Sequence, residues 1–204
     1  MREVRSVMQN SKHAFPVKRL ATDAVLIAVY FALAVLSIEV YGVKITFNSL
    51  PVVIAAMIFG PLDGFLVPFL GEFLSQIIHY GFTPTTILWM LAPAVRGLIV
   101  GAAVLLLRKS MSVDVLIGGK RPWVYFLVCI VAAVITSLGN TGAYYVDSKM
   151  LGYYNYALIF GVAGIRIISN VVSSILTAIL AIPVLAALRK AKLIKVHAPA
   201  PANS

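Results

Sequence analysis

Three charged side chains stand where charge is expensive. Arg96, Arg166 and Glu72 each interrupt a long apolar stretch. A guanidinium at the centre of a bilayer costs roughly 2.5–3.5 kcal/mol on insertion scales. It stays charged at any accessible pH, so each arginine needs a partner. One acid faces two arginines, which allows two readings. In the structural one, Glu72 pairs with one arginine while the other caps helix carbonyls. In the functional one, Glu72 neutralises one arginine and an anionic ligand supplies the second counter-charge. The planar guanidinium suits that task, because it meets a carboxylate with two parallel hydrogen bonds.

Other polar residues recur at helical spacing around these three. Glu72, Gln76 and His79 follow at i, i+4 and i+7, Trp89 and Arg96 lie seven apart, and Arg166 and Asn170 lie four apart. Each set shares one helix face, and polar side chains in a membrane turn toward the bundle interior. Asn48, Asn140 and Tyr144, near the ends of their own apolar segments, can join them. The expectation is one outward-opening pocket lined by five helices. Arg96 lies about 18 Å below the outer end of its helix and Arg166 about 14 Å, at a rise of 1.5 Å per residue. Both are too deep to reach water fully by their own length. Trp89, tyrosines and asparagines would add apolar contact and bonds to hydroxyl or amide groups.

The elements that hold these residues follow from composition. Of 204 residues 61% are hydrophobic and 12% charged, with a mean hydropathy of +0.96. Soluble domains carry about 45–50% apolar and about 25% charged residues, so the chain reads as an all-α integral membrane protein. Apolar segments occupy 20–38, 46–60, 62–80, 84–107, 122–145 and 157–188, which gives six spans. The second is short for a crossing of roughly 20 residues. Gly60-Pro61-Leu62-Asp63-Gly64 reads as a compact turn dividing it from the third.

The net charge of +10 sits mainly in short flanks beside these segments, an orientation signal rather than a nucleic-acid footprint. Arg2, Arg5, Lys12, Lys18 and Arg19, then Arg108, Lys109, Lys120 and Arg121, then Arg189, Lys190, Lys192 and Lys195 fall on one side of a six-span bundle. Both termini are therefore expected in the cytoplasm. The outer loops become 39–45, 79–84 and 146–156, with Asp147 in the last and Asp114 in a cytoplasmic loop. The expected organisation is a basic segment over 1–19, a membrane domain over 20–190 and a low-complexity, disordered tail over 191–204. No cleavable signal peptide is visible, so the first span serves as its own insertion signal.

Catalytic patterns are missing. The sequence has no His-Glu-x-x-His, no Gly-x-Ser-x-Gly and no cysteine pair, since Cys129 is the one cysteine. Ser173 and Ser174 have no base nearby in sequence, and serines in spans usually serve helix packing. No enzymatic role, cofactor or metal site is expected.

The first span reads Ala24-Val-Leu-Ile-Ala28-Val-Tyr-Phe-Ala32. Alanine at every fourth residue leaves a smooth strip along which another helix can approach closely. A short basic N-terminus, this alanine strip, a second span closing on Phe59-Gly60-Pro61 and six spans in some 200 residues resemble an energy-coupling factor (ECF) transporter. More narrowly, the chain is similar to the substrate-binding S component, in the branch that includes folate and pantothenate binders, over residues 20–190.

The resemblance implies a bacterial plasma-membrane protein that binds a vitamin at the outer face and has no ATPase of its own. It implies docking on one membrane scaffold subunit and two ATP-binding-cassette subunits, with Ala24, Ala28 and Ala32 as the docking strip. Transport in such systems is thought to proceed by toppling of the S component among the membrane lipids. The absence of a Gly-x-x-x-x-Gly-Lys-Ser/Thr phosphate loop agrees with energy supplied by a partner. Pantothenate leads as ligand, because one carboxylate matches one spare arginine and its hydroxyls and amide suit Asn48, Asn140 and tyrosines. Folate follows, since its pterin could stack on Trp89 and tyrosines but its two carboxylates ask for more positive charge. The rival is a self-sufficient secondary carrier or channel for a small organic anion, a class that often shows inverted repeats; no convincing repeat relates residues 20–107 to 122–188.

Overall fold

One glycine separates the second and third apolar segments. In the computed structural model Gly60 has φ 98°, a backbone conformation open to glycine and costly for other residues. Helix α2 (Ser49–Phe59) ends just before it and α3 (Pro61–Tyr80) begins just after it. Pro61 suits the first helical position, where its missing N–H has no partner to lose. The expected five-residue turn thus contracts to a single residue, and Leu62, Asp63 and Gly64 belong to α3.

The structure describes residues 2–40, 43–111, 113–117 and 122–191. The expected disordered tail from residue 192 onward, and Tyr41 of the first outer loop, lie outside the described residues. Helix α1 (Arg2–Val35) runs through the boundary drawn at residue 19, and an antiparallel hairpin, β1 (Ile38–Val40) with β2 (Val43–Ile45), leads to α2. After α3 come α4 (Thr86–Leu106), two short helices, α5 (Arg108–Met111) and α6 (Val113–Ile117), then α7 (Pro122–Leu151). A short α8 (Tyr156–Phe160) precedes α9 (Ala163–Lys190), so the last apolar segment is interrupted near Gly161. Because α7 continues to Leu151, Asp147 is helical; the loop expected over 146–156 is correspondingly shorter.

Each of the first five apolar segments falls on one helix and the sixth on α8 and α9, and α4, α7 and α9 are long and apolar enough to cross a membrane. Helix α3 packs on α4, α4 on α7, α7 on α9 and α1 on α3, while α2 touches α1, α3, α4 and α9. That central position explains α2's sequence. Its residues 51–57 are all buried, so it is apolar all round rather than on one stripe.

Glycine sets the closest approach. A Cβ on Gly97 of α4 would overlap the Gly64 carbonyl of α3, and one on Gly101 would overlap Pro61. The two backbones therefore touch, as small residues allow between membrane helices. Gly71 of α3 likewise leaves the room that the Tyr30 ring of α1 fills. Arg19 of α1 clamps α3 through Asp63, 2.6 Å away.

The bundle is divided along its length. At one end Val53, Ile54, Met57, Tyr125, Cys129, Ala178 and Leu185 form a dry core with Met111 and Leu116 of the short helices. Two hydrogen bonds join α7 and α9 there: the Tyr125 hydroxyl donates to the Ala178 carbonyl and Ser174 Oγ to the Cys129 carbonyl. The other end is polar and hollow.

Gly97→Val should separate α3 from α4 and cost about 1–3 kcal/mol, read as a lower melting temperature of the detergent-solubilised protein. Gly142→Ala, where an added Cβ meets nothing within 4 Å, should melt as the parent does.

Candidate functional site

The hollow end holds a cavity of 580 Å³, within the 300–1,000 Å³ range of small-molecule sites. The C-terminal halves of α3 and α7 and the N-terminal halves of α4 and α9 form its walls. The start of α2 and Tyr30 of α1 complete them. Of the residues singled out by type and spacing, Arg96, Arg166, Asn140, Trp89, Asn48, Glu72, Gln76, Tyr144 and Asn170 all line this one space.

Arg96 lies deepest in bonding terms. It is 6% exposed, and three helices supply its partners. Its Nε donates to Thr136 Oγ1 of α7 at 3.2 Å, Nη2 to Asn170 Oδ1 of α9 at 3.3 Å, and Nη1 to Ser49 Oγ of α2. Thr136 can accept because its own hydroxyl proton goes to the Ala132 carbonyl, one turn back. All three acceptors are neutral. Among the described residues the one salt bridge is Arg19–Asp63, so no carboxylate pairs with Arg96.

Glu72 is engaged elsewhere, which corrects the expected Glu72–arginine pair. Its Oε2 accepts from the Tyr30 hydroxyl and its Oε1 from Gln76 Nε2, both at 2.8 Å. Tyr30 Oη in turn accepts from Asn48 Nδ2 at 3.0 Å, and Asn48 Oδ1 accepts from the Thr46 hydroxyl. Two neutral donors hold the carboxylate beside Tyr30 rather than across the cavity on a guanidinium.

Arg166 stacks over the Tyr144 ring at 4.6 Å, within cation–π range. Tyr144 meets Trp89 and Tyr153 edge-on, with centroids 6.1 and 6.0 Å apart. This aromatic group borders Asp147, whose Oδ1 accepts from the Thr85 hydroxyl and Oδ2 from the Tyr153 hydroxyl. Burial, then the bond to Asp147, push the Tyr153 phenol above its ordinary range, so it remains a donor.

His79 does not line the cavity. It is exposed on the last turn of α3, and its Nδ1 turns back to the Ser75 carbonyl at 2.8 Å. That bond draws the ring off the face shared by Glu72 and Gln76.

Twelve of the lining residues were not among those expected, Tyr30, Ser49, Thr136 and Asp147 among them. Tyr30 sits inside the alanine-rich first span and reads as an interfacial or packing aromatic. Asp147 alone carried a usable signal, an acid two residues past a Tyr-Tyr pair. With it the described lining holds two arginines and two carboxylates. The imbalance is therefore local, at Arg96, and not a surplus over the whole cavity.

Among the described residues, a helical bundle with three membrane-length apolar helices around a polar cavity has the architecture of a membrane protein with room for a small molecule. The chain belongs to the substrate-specific components of ECF transporters: the family model described as "ECF transporter, substrate-specific component" matches residues 18–185. It is thus a substrate-specific transporter subunit, not a catalytic one. No curated protein matches the chain.

Tyr30→Phe leaves Glu72 and Asn48 each one partner short. We expect a loss of about 1–3 kcal/mol, measured as a drop in detergent melting temperature.

Proposed function

We propose that this chain captures a small anionic vitamin from outside the cell and binds its carboxylate at Arg96. The observation that carries this reading is a guanidinium, buried in a cavity wall, with neutral partners alone. Neutral acceptors satisfy its hydrogen bonds but not its charge, and an incoming carboxylate does both. Pantothenate is favoured: it has one carboxylate, while its hydroxyls and amide suit Asn48, Asn140, Gln76 and Glu72. Folate is second. Trp89, Tyr144 and Tyr153 offer its pterin stacking surfaces, but a second carboxylate meets an acid at either Glu72 or Asp147.

The reading includes six membrane crossings with both termini in the cytoplasm. Its support is that Arg19 of α1, Arg108 and Lys109 after α4, and Arg189 and Lys190 of α9 belong to the dry end of the bundle, so the cavity opens outward by the positive-inside rule. Docking is assigned to Ala24, Ala28 and Ala32. All three are exposed on α1, whose opposite side buries Tyr30 and Ala34. The partner is a scaffold subunit carrying two ATP-binding-cassette subunits, which supplies the energy.

Arg96→Gln should weaken pantothenate binding about 30-fold or more, the consequence of losing about 2 kcal/mol or more from a buried charge pair. Calorimetric titration of the purified protein reads this directly. Affinity unchanged in Arg96→Ala and Arg166→Ala alike would sink the carboxylate site. Ala28→Leu should abolish ATP-dependent uptake with ligand affinity retained, because a bulky side chain prevents close helix contact. Uptake by the lone protein in ATP-free vesicles would instead favour a self-sufficient carrier.

A further inference from the structure

Arg96 accounts for one end of a ligand; the far end of the cavity carries a carboxylate. Asp147 is 8% exposed, lines the cavity, and holds two bonds, from Thr85 and Tyr153. Both donors are neutral hydroxyls, and no salt bridge to Asp147 is present among the described residues. An ionised carboxylate offers about four acceptor sites, so about two remain for something within the cavity.

Its distance from Arg96 is set by α7. Thr136, which binds the Arg96 guanidinium, and Asp147 are eleven residues apart on that helix, or about 16 Å at 1.5 Å per residue. A hydrogen bond of about 2.8 Å at each end leaves room for a ligand of about 10 Å between its two polar ends. We infer that Asp147 is a specificity-determining residue that selects an elongated monocarboxylate bearing a hydrogen-bond donor at the end opposite its carboxylate. A hydroxyl, an amide N–H or an ammonium group there completes Asp147. A second carboxylate at that end meets like charge with no proton to share, so diacids are rejected by repulsion and by an unmatched acceptor. The inference rests on Arg96 as the carboxylate site, but it concerns the other end of the ligand and has its own test.

Eight-carbon probes of the required reach separate the two claims: 8-hydroxyoctanoate, 8-aminooctanoate, octanoate and octanedioate, titrated by ligand-observed NMR against the full chain in detergent. In the parent protein the hydroxyl- and amino-terminated probes should bind about tenfold or more tighter than octanedioate. Asp147→Asn should bring that ratio to within about threefold. Thr85→Val, at a residue that does not itself line the cavity, removes one bond to Asp147 and should keep the parent's ranking of end groups. An unchanged ratio in Asp147→Asn, octanedioate binding the parent as well as 8-hydroxyoctanoate, or no probe binding the parent would each overturn the inference. Arg96→Gln tests the other end: loss of all four probes supports the carboxylate site, and their retention overturns it whatever Asp147→Asn does.

Discussion

The burial of a guanidinium that cannot lose its proton governs the polar half of this molecule. Arg96 has to be hydrogen-bonded where it stands, and the partners it finds come from three other helices: Ser49 on α2, Thr136 on α7 and Asn170 on α9. Each bond to a charged group contributes about 1.5–3 kcal/mol, and together they hold four helices at one level. They leave the charge itself uncompensated. A site of this kind favours an anion strongly, because the low dielectric that makes an unpaired charge costly also strengthens its attraction to an opposite one.

The placement of Arg96 depends in turn on backbone contact. Gly64 and Gly97 let α3 and α4 meet without intervening side chains, and Gly71 admits the Tyr30 ring between α1 and α3. Tyr30 then donates to Glu72 and accepts from Asn48. A continuous polar chain therefore runs from α3 through α1 to the start of α2, whose Ser49 holds Arg96. Helix α1 carries both ends of the molecule's proposed work. Its buried side contributes a phenol to the cavity, and its exposed side presents the alanine strip.

The opposite end of the bundle shows what this arrangement leaves out. There the same helices α7 and α9 meet through Tyr125, Cys129, Ala178 and Leu185, with two hydrogen bonds between them. Nothing in that region asks for a ligand. The division lets one half hold the fold by packing while the other keeps a space of 580 Å³ open.

Much of this was legible from residue types alone. A polar residue in an apolar run has few places to go, so Glu72, Gln76, Arg96, Arg166 and Asn170 could be assigned to the bundle interior from helical period and the cost of burial in lipid. Hydropathy likewise located where helices form, α4, α7 and α9 among them, since apolar character is a property of local composition. It misjudged their ends. Asp147 and Lys149 lower the local average, so α7 read as stopping at Tyr145, although the helix continues on hydrogen bonds that hydropathy does not register. Partnerships were beyond the sequence. Which acid meets which arginine depends on helix rotation and crossing distance, and these gave Glu72 to Tyr30 and Gln76 while leaving Arg96 with neutral neighbours. His79 has the right period yet lies outside the cavity, because one bond to the Ser75 carbonyl turns its ring away. The sequence by itself determined that charge would be buried here; only tertiary packing decided which charge was left to be answered by a ligand.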